Sequence, residues 1–307
     1  MRTLALLLAA ALAAPCLAGT ALAQRHSGIT SPPTAPRRLT PRAPIAPDSG
    51  LTNNLGPIQF AAVNYGVPAP QSITRQLDSE DERTRASALS ALGAPAQYVT
   101  HGRVPYPHSI QLELLPLGDS DALDAVLTIE LDQHIVSALL VQHDGDWHRV
   151  ATFIESTPFT DAATTPSNFA HTERAFTDRS RYQVVFRALA HQAGDSYAES
   201  EAIVRIHENK PTLTLSYLAS QRLCREGHGR TSCELTERWL RTDDPDPQHM
   251  TLVIASGRQG QRDTRESNSH AAAPQLRNFY CQPLAFNDST QHFEPTAPPE
   301  PCSADQL

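Results

Sequence analysis

Two groups of side chains have the types and spacing that chemistry would use. His143, Asp144, Asp146 and His148 crowd one short stretch. Two imidazoles and two carboxylates are a donor set that suits a transition metal. Asp144-Gly145 is equally a favoured hairpin turn, and polar residues commonly flank such turns. The turn reading is preferred. Glu199, Glu201, Arg205 and His207 form the second group. Period-two spacing puts them on one face of a strand. Paired carboxylates such as Glu199 and Glu201 can share acid–base work, as in glycoside hydrolysis. The same row suits the wet face of an antiparallel sheet with cross-strand ion pairs, and that reading is preferred.

Four cysteines, Cys224, Cys233, Cys281 and Cys302, lie in the C-terminal third. An even count in an oxidising compartment implies disulfides, and four cysteines allow three pairings. The local pairing is chosen here: Cys224 with Cys233, and Cys281 with Cys302. Residues 225–232 read as a polar loop between two strands, which would bring the first pair together. The rival is a zinc site from Cys224, His228 and Cys233, but that spacing fits no common zinc motif and lacks a fourth ligand nearby.

Other chemistries leave no motif. The chain has no Gly-x-Ser-x-Gly elbow and no phosphate-cradling loop with a lysine. His207-Glu208 begins a His-Glu-x-x-His pattern, but Pro211 stands where the second His belongs. No cofactor is expected.

The elements that must position these residues are mostly strands. Ile110, Leu112 and Leu114 alternate with polar residues, as do Leu123, Ala125, Leu127, Ile129 and Leu131. Ile135–Val141 and Trp147–Ile154 flank the Asp144-Gly145 turn. A second set begins at Tyr182 and continues through Ala202, Val204 and Ile206. After a turn at Glu208-Asn209 come Leu213, Leu215 and Tyr217 on one face, with Thr212, Thr214 and Ser216 opposite. Further strands are expected at 233–241, 249–256, 278–286 and 291–294, with a loop over 257–275. Strand after strand with short polar turns predicts a mainly β fold, an antiparallel sandwich or meander, with α+β as the alternative. The strand sets 109–156 and 182–295 make one sandwich or two small sheets.

Residues 70–93 read as a helical cap. Ser79 and Glu82 make a capping-box pair, and Gly93 is a natural stop. Leu77-Asp78-Ser79-Glu80-Asp81, continued through Arg85, Ala88, Leu89, Leu92 and Gly93, resembles one helix of a HEAT-type repeat. No second copy follows, so the resemblance implies a cap rather than a solenoid. Leu139–Phe153 resembles the last hairpin of NTF2-like domains.

The chain ends suggest a compartment. Arg2, the Leu/Ala run Leu4–Leu12 and the small residues Ala21 and Ala23 read as a secretory signal peptide over 1–23, cut between Ala23 and Gln24. Pro15 before Cys16 argues against a lipidated cysteine. Residues 24–57 are Pro-rich and read as a disordered linker, and 296–307 as a disordered tail. Net charge is −8, or −9 once Arg2 is removed, which argues against a general nucleic-acid binder. No stretch after the leader is long and apolar enough to span a membrane. The sequence is therefore read as an exported periplasmic or extracellular protein. Its expected role is a non-enzymatic binding or interaction module for an unidentified protein or envelope polymer. The alternative is an exported hydrolase of an envelope polymer or glycan using Glu199 and Glu201.

Overall fold

The computed structural model describes residues 48–52, 58–61, 66–100, 103–118, 122–156, 170–227, 230–242, 246–263 and 275–303. Residues 1–23, read above as a signal peptide, and most of the stretch read as a Pro-rich linker lie outside the described residues. Two short strands, β1 (Ile58–Phe60) and β2 (Val67–Ala69), precede three helices: α1 (Ile73–Leu77), α2 (Glu82–Leu92) and α3 (Gln97–Thr100). The cap of α2 differs from the expected Ser79–Glu82 box. Asp81 is the N-cap, and its carboxylate accepts from the N–H groups of Arg83 and Thr84. Ser79 Oγ instead accepts from the Asp81 N–H at 3.2 Å. An Asp caps as well as a Ser, and its charge also suits the helix dipole. The stop is the expected one: Gly93 has φ 78.

The buried face of α2 is Arg85, Ala88, Leu89 and Leu92, the i, i+3, i+4, i+7 stripe of an amphipathic helix. Arg85 is only 1% exposed. Its guanidinium donates to the carbonyls of Ser79, Glu80 and Val104 and stacks 3.8 Å from the Tyr106 ring centroid. It ties the turn before α2 to the chain that leads into the first long strands.

Those strands are β3 (Ser109–Leu115), β4 (Asp124–Glu130), β5 (His134–His143) and β6 (Asp146–Ser156). They form an antiparallel sheet in the order β1-β6-β5-β4-β3, with β2 also on β6. Ala125, Leu127, Ile129, Val136 and Leu140 pack against Ile73, Leu77, Leu89 and Leu92 of the helices. On the opposite face Val126, Leu139, Val141 and Phe153 meet the second sheet. β5 is covered on both faces, which explains its unbroken apolar run. Asp124 is fully buried. Its carboxylate accepts from the N–H groups of Gly118, Gln142 and Leu117 at 2.7, 3.0 and 3.2 Å. Burial pushes this carboxyl above its ordinary range, against those three bonds.

The second sheet holds β7 (Ala170–Arg174), β8 (Tyr182–Ala193), β9 (Ser196–His207), β10 (Lys210–Gly227), β11 (Arg230–Arg241), β12 (His249–Asp263), β13 (Gln275–Asn287), β14 (His292–Pro295) and β15 (Glu300–Pro301). It is an antiparallel meander in the order β14-β13-β12-β11-β10-β9-β8-β7, with β15 on the side of β13. β7 falls in a stretch that reads as polar loop. β12 and β13 extend into the segment expected as a loop over 257–275, and 264–274 lies outside the described residues. Val184, Phe186, Val204 and Ile206 face the first sheet, and the Phe186 and Phe153 rings lie 4.3 Å apart. The two strand sets are thus two sheets packed through a shared core.

β10 corrects one expectation in detail. A register shift lies between Leu213 and Leu215. It puts Leu213 into the inter-sheet core and Leu215 and Tyr217 into a third core on the other face. A bulge adds one residue, and one residue reverses every side chain beyond it. In that third core Leu215 and Tyr217 meet Met250, Leu252, Ile254 and Phe293. The sheet therefore curls back, and β14 comes beside the first half of β10. The supposed linker ends against the same strand: Arg238 donates to the Leu218 and Asp48 carbonyls at 3.1 and 3.0 Å. Gly50 sits beneath that guanidinium at φ 71, where a Cβ would lie 2.6 Å from Arg238 Nε.

Both local disulfides are formed, Cys224–Cys233 and Cys281–Cys302. The second holds the tail that was expected to be disordered from 296. Glu300–Pro301 pairs with Tyr280 and Cys281, and residues 304–307 lie outside the described residues.

Candidate functional site

The Asp144-Gly145 turn has positive φ at both residues, 52 and 88, as a type I′ hairpin requires. The turn directs Asp144 into solvent, its side chain 89% exposed and 3.3 Å from His143 Nε2. The His143 and His148 rings sit edge to face at 5.6 Å. The four candidate donors do not converge: among the described residues, no group of three or more His, Cys, Asp or Glu is placed to hold a metal ion.

The row on β9 is better organised. Glu201 stands opposite Arg187 on β8 and opposite Tyr217 on β10. The Tyr217 hydroxyl donates to Glu201 Oε1. Tyr217 is buried, and burial together with the Glu201 charge pushes its phenol well above the usual range. Arg187 donates from Nε and Nη2 to Glu199 Oε2 at 3.0 and 2.7 Å. Arg205 donates to the Thr177 hydroxyl, and His207 flanks the Glu208-Asn209 turn opposite Lys210. Buried Ile203 interrupts the row and belongs to the third core with Tyr217. The face is therefore the inner side of the curled sheet, half-buried rather than openly wet.

Three further carboxylates join this cluster that spacing along β9 does not reveal. Glu173 accepts from Gln183 Nε2 at 2.8 Å, and burial raises its carboxyl. Glu237 accepts from the Ser220 hydroxyl at 2.8 Å. Glu155, on β6 of the other sheet, is raised to about 7, first by burial and further by the Glu199 charge, against a hydrogen bond from the Leu189 N–H. These partners come from other strands, so only the register of the sheets brings them together. Chemically, a carboxyl raised to about 7 beside an arginine-held carboxylate is the divided pair that acid–base catalysis uses. Each of Glu199 and Glu201, however, already has a partner.

A second feature lies on β10. β11 pairs with β10 only from Ser220 onward, so the first half of β10 has an edge that β11 does not reach. Part of that edge is taken by the chain itself. Leu51 bridges Tyr217, the Thr52 N–H donates to the Ser216 carbonyl, and the Leu218 N–H donates to the Gly50 carbonyl, both at 2.9 Å. From Pro211 to Leu215 the edge continues as one wall of a groove of about 930 Å³. Thr290 and the strand His292–Pro295 form the other wall. Its lining mixes apolar rings (Phe60 and Phe293) with the hydroxyls of Thr52 and Thr212.

No helix among the described residues is long and apolar enough to cross a membrane. No family model matches the chain, and no curated protein or solved structure resembles it.

Proposed function

We propose that this chain is an exported, β-rich binding module that takes an extended polypeptide segment into the groove between β10 and β14. The observation that carries the reading is the continuity of the β10 edge. Leu51 already bridges that edge in antiparallel sense, with hydrogen bonds at Gly50 and Thr52 beside it, and the groove prolongs the same edge over Pro211–Leu215. Strand addition to an exposed edge draws affinity from main-chain bonds and selectivity from side-chain pockets. The export half of the proposal rests on the leader-like residues 1–23 and the two disulfides.

The test pans phage-displayed random peptides against oxidised chain starting at Gln24. Enriched peptides should bind with micromolar affinity, slow amide exchange at Leu213, and lose binding to a Thr290→Trp variant that fills the exposed wall. Peptides that bind the filled variant equally well, or a library that enriches nothing, would sink the reading.

The hydrolase reading draws on one observation, the Glu155 carboxyl raised to about 7 beside Glu199. It expects reducing ends to be released from purified peptidoglycan, and their loss in Glu199→Gln. No release by the native chain removes it.

A further inference from the structure

The first sheet ends in a strand that is apolar along one exposed face, with Glu113 as its single charge on the other. β3 is the terminal strand of its sheet. Edge strands usually carry charge, proline or a bulge against unwanted pairing. Here Leu112 and Leu114 are 40% and 51% exposed, and Leu123 beside them is 52% exposed. Their faces follow from the register. Leu112 stands opposite Leu127 and Leu114 opposite Ala125, and Leu127 and Ala125 lie on the helix-covered side. The helix-side core covers β4 and β5 and reaches Ile110 of β3, but leaves Leu112 and Leu114 open.

The direction of the backbone groups also follows. The Leu131 N–H donates to the His134 carbonyl at the β4–β5 turn. Alternation along an antiparallel ladder then turns the even-numbered residues of β4 toward β3. With the register Thr128↔Gln111 and Val126↔Glu113, the odd residues of β3 bond to β4. Ile110, Leu112 and Leu114 therefore turn their peptide groups out of the sheet, on the same residues whose side chains form the apolar row.

We propose that β3 pairs antiparallel with β3 of a second copy of this chain, about a twofold axis at Leu112. The strand is self-complementary about that point. Leu112 meets its own counterpart, and Ile110 meets Leu114 of the second copy. On the other face Gln111 meets Glu113, so no two like charges stand opposite each other. The outward peptide groups have matching parity, since even residues meet even residues. A groove of about 540 Å³ lies between Ile110 and the side chains of Thr74 and Arg75 on α1 and of Asp78 just after it. Leu114 of the second copy, placed opposite Ile110, enters the mouth of that groove. The contact is isologous, the usual form of a twofold dimer.

The test uses the oxidised full chain from Gln24. Sedimentation equilibrium from 1 to 100 µM (about the range in which a small edge-to-edge interface associates) should show a dimer. Leu112→Lys sets two lysines face to face on the axis and should weaken association about a hundredfold, with unchanged circular dichroism and melting. Leu112→Cys should crosslink to its own copy on mild oxidation, whereas Glu113→Cys, which faces Gln111, should not. A chain that stays monomeric throughout the range overturns the proposal. So does a dimer that persists in Leu112→Lys, or crosslinking equal at positions 112 and 113.

Discussion

Arg187 holds Glu199 through two donors on a single carboxylate oxygen, at 2.7 and 3.0 Å, yet the two residues do not face each other. In the register Arg187 stands opposite Glu201, and Glu199 opposite Leu189. The guanidinium reaches diagonally and leaves Glu201 to the Tyr217 hydroxyl. The cluster is thus two interlocked pairs. Both members of the ion pair are more than a third exposed, at 39% and 35%, so screening keeps the pair modest. Arg187→Met should cost about 1–2 kcal/mol, and a double-mutant cycle with Glu199→Gln should give a coupling of about 1 kcal/mol. Urea denaturation of the four proteins checks it.

Glu155 makes the fold more stable in mild acid. Its carboxyl rises from an ordinary 4.5 to about 7 in the folded chain. The folded state therefore keeps a proton that the unfolded state has released. The resulting stabilisation is fully present below about pH 4.5 and is lost as pH rises to about 7. The group is partly solvated, so the expected size is about 1–2 kcal/mol after allowing for screening. Comparing native chain with Glu155→Gln at pH 5 and pH 8 isolates this part: the native protein should lose that much more stability over the interval.

Asp124 fastens three separate peptide groups, so its replacement should be among the most damaging in the first sheet. Asp124→Ala leaves the N–H groups of Leu117, Gly118 and Gln142 buried without their acceptor, at a cost of about 3 kcal/mol or more. Asp124→Asn turns a donor toward at least one of them and should rescue only part. Equilibrium unfolding of both variants would show the order.

Much of this arrangement is readable from local sequence, and the exceptions have physical causes. Asp144-Gly145 and Glu208-Asn209 announce their turns because both require left-handed backbone, and all four residues adopt positive φ. The α2 stripe is legible because its period is clean. The face of Leu213 is not legible, because nothing in Thr212-Leu213-Thr214-Leu215-Ser216 tells where a bulge will enter. The ends of β12 and β13 are not legible, because Arg258–Asp263 carries no apolar residue to alternate and Gln275–Asn278 carries only Leu276. In the cluster, Glu199 and Glu201 were visible as a strand-face pair. Arg187, Tyr217, Glu155 and Glu173 were not, because strand pairing, rather than spacing along one strand, brings them near.

The two disulfides should differ in worth. Cys224–Cys233 joins residues directly opposite in the β10–β11 ladder, nine apart in sequence. Cys281–Cys302 closes a separation of 21 and anchors the last described segment. Loop-closure entropy predicts about 3.3 kcal/mol for the longer loop and about 2.6 kcal/mol for the shorter. Paired Cys→Ser variants in guanidinium check the order, and non-reducing peptide mapping should link 224 to 233 and 281 to 302.

The meander has a consequence for how the chain assembles. From β7 to β14 each strand pairs with the next one in sequence. Such pairings have low contact order, and each closes a short loop at little entropic cost. The sheet can therefore zip hairpin by hairpin in the order the chain is delivered, N-terminus first. Cys224 then meets Cys233 before Cys281 has arrived, and Cys281 finds its earlier rivals already bridged, so N-terminus-first assembly favours the two native pairs.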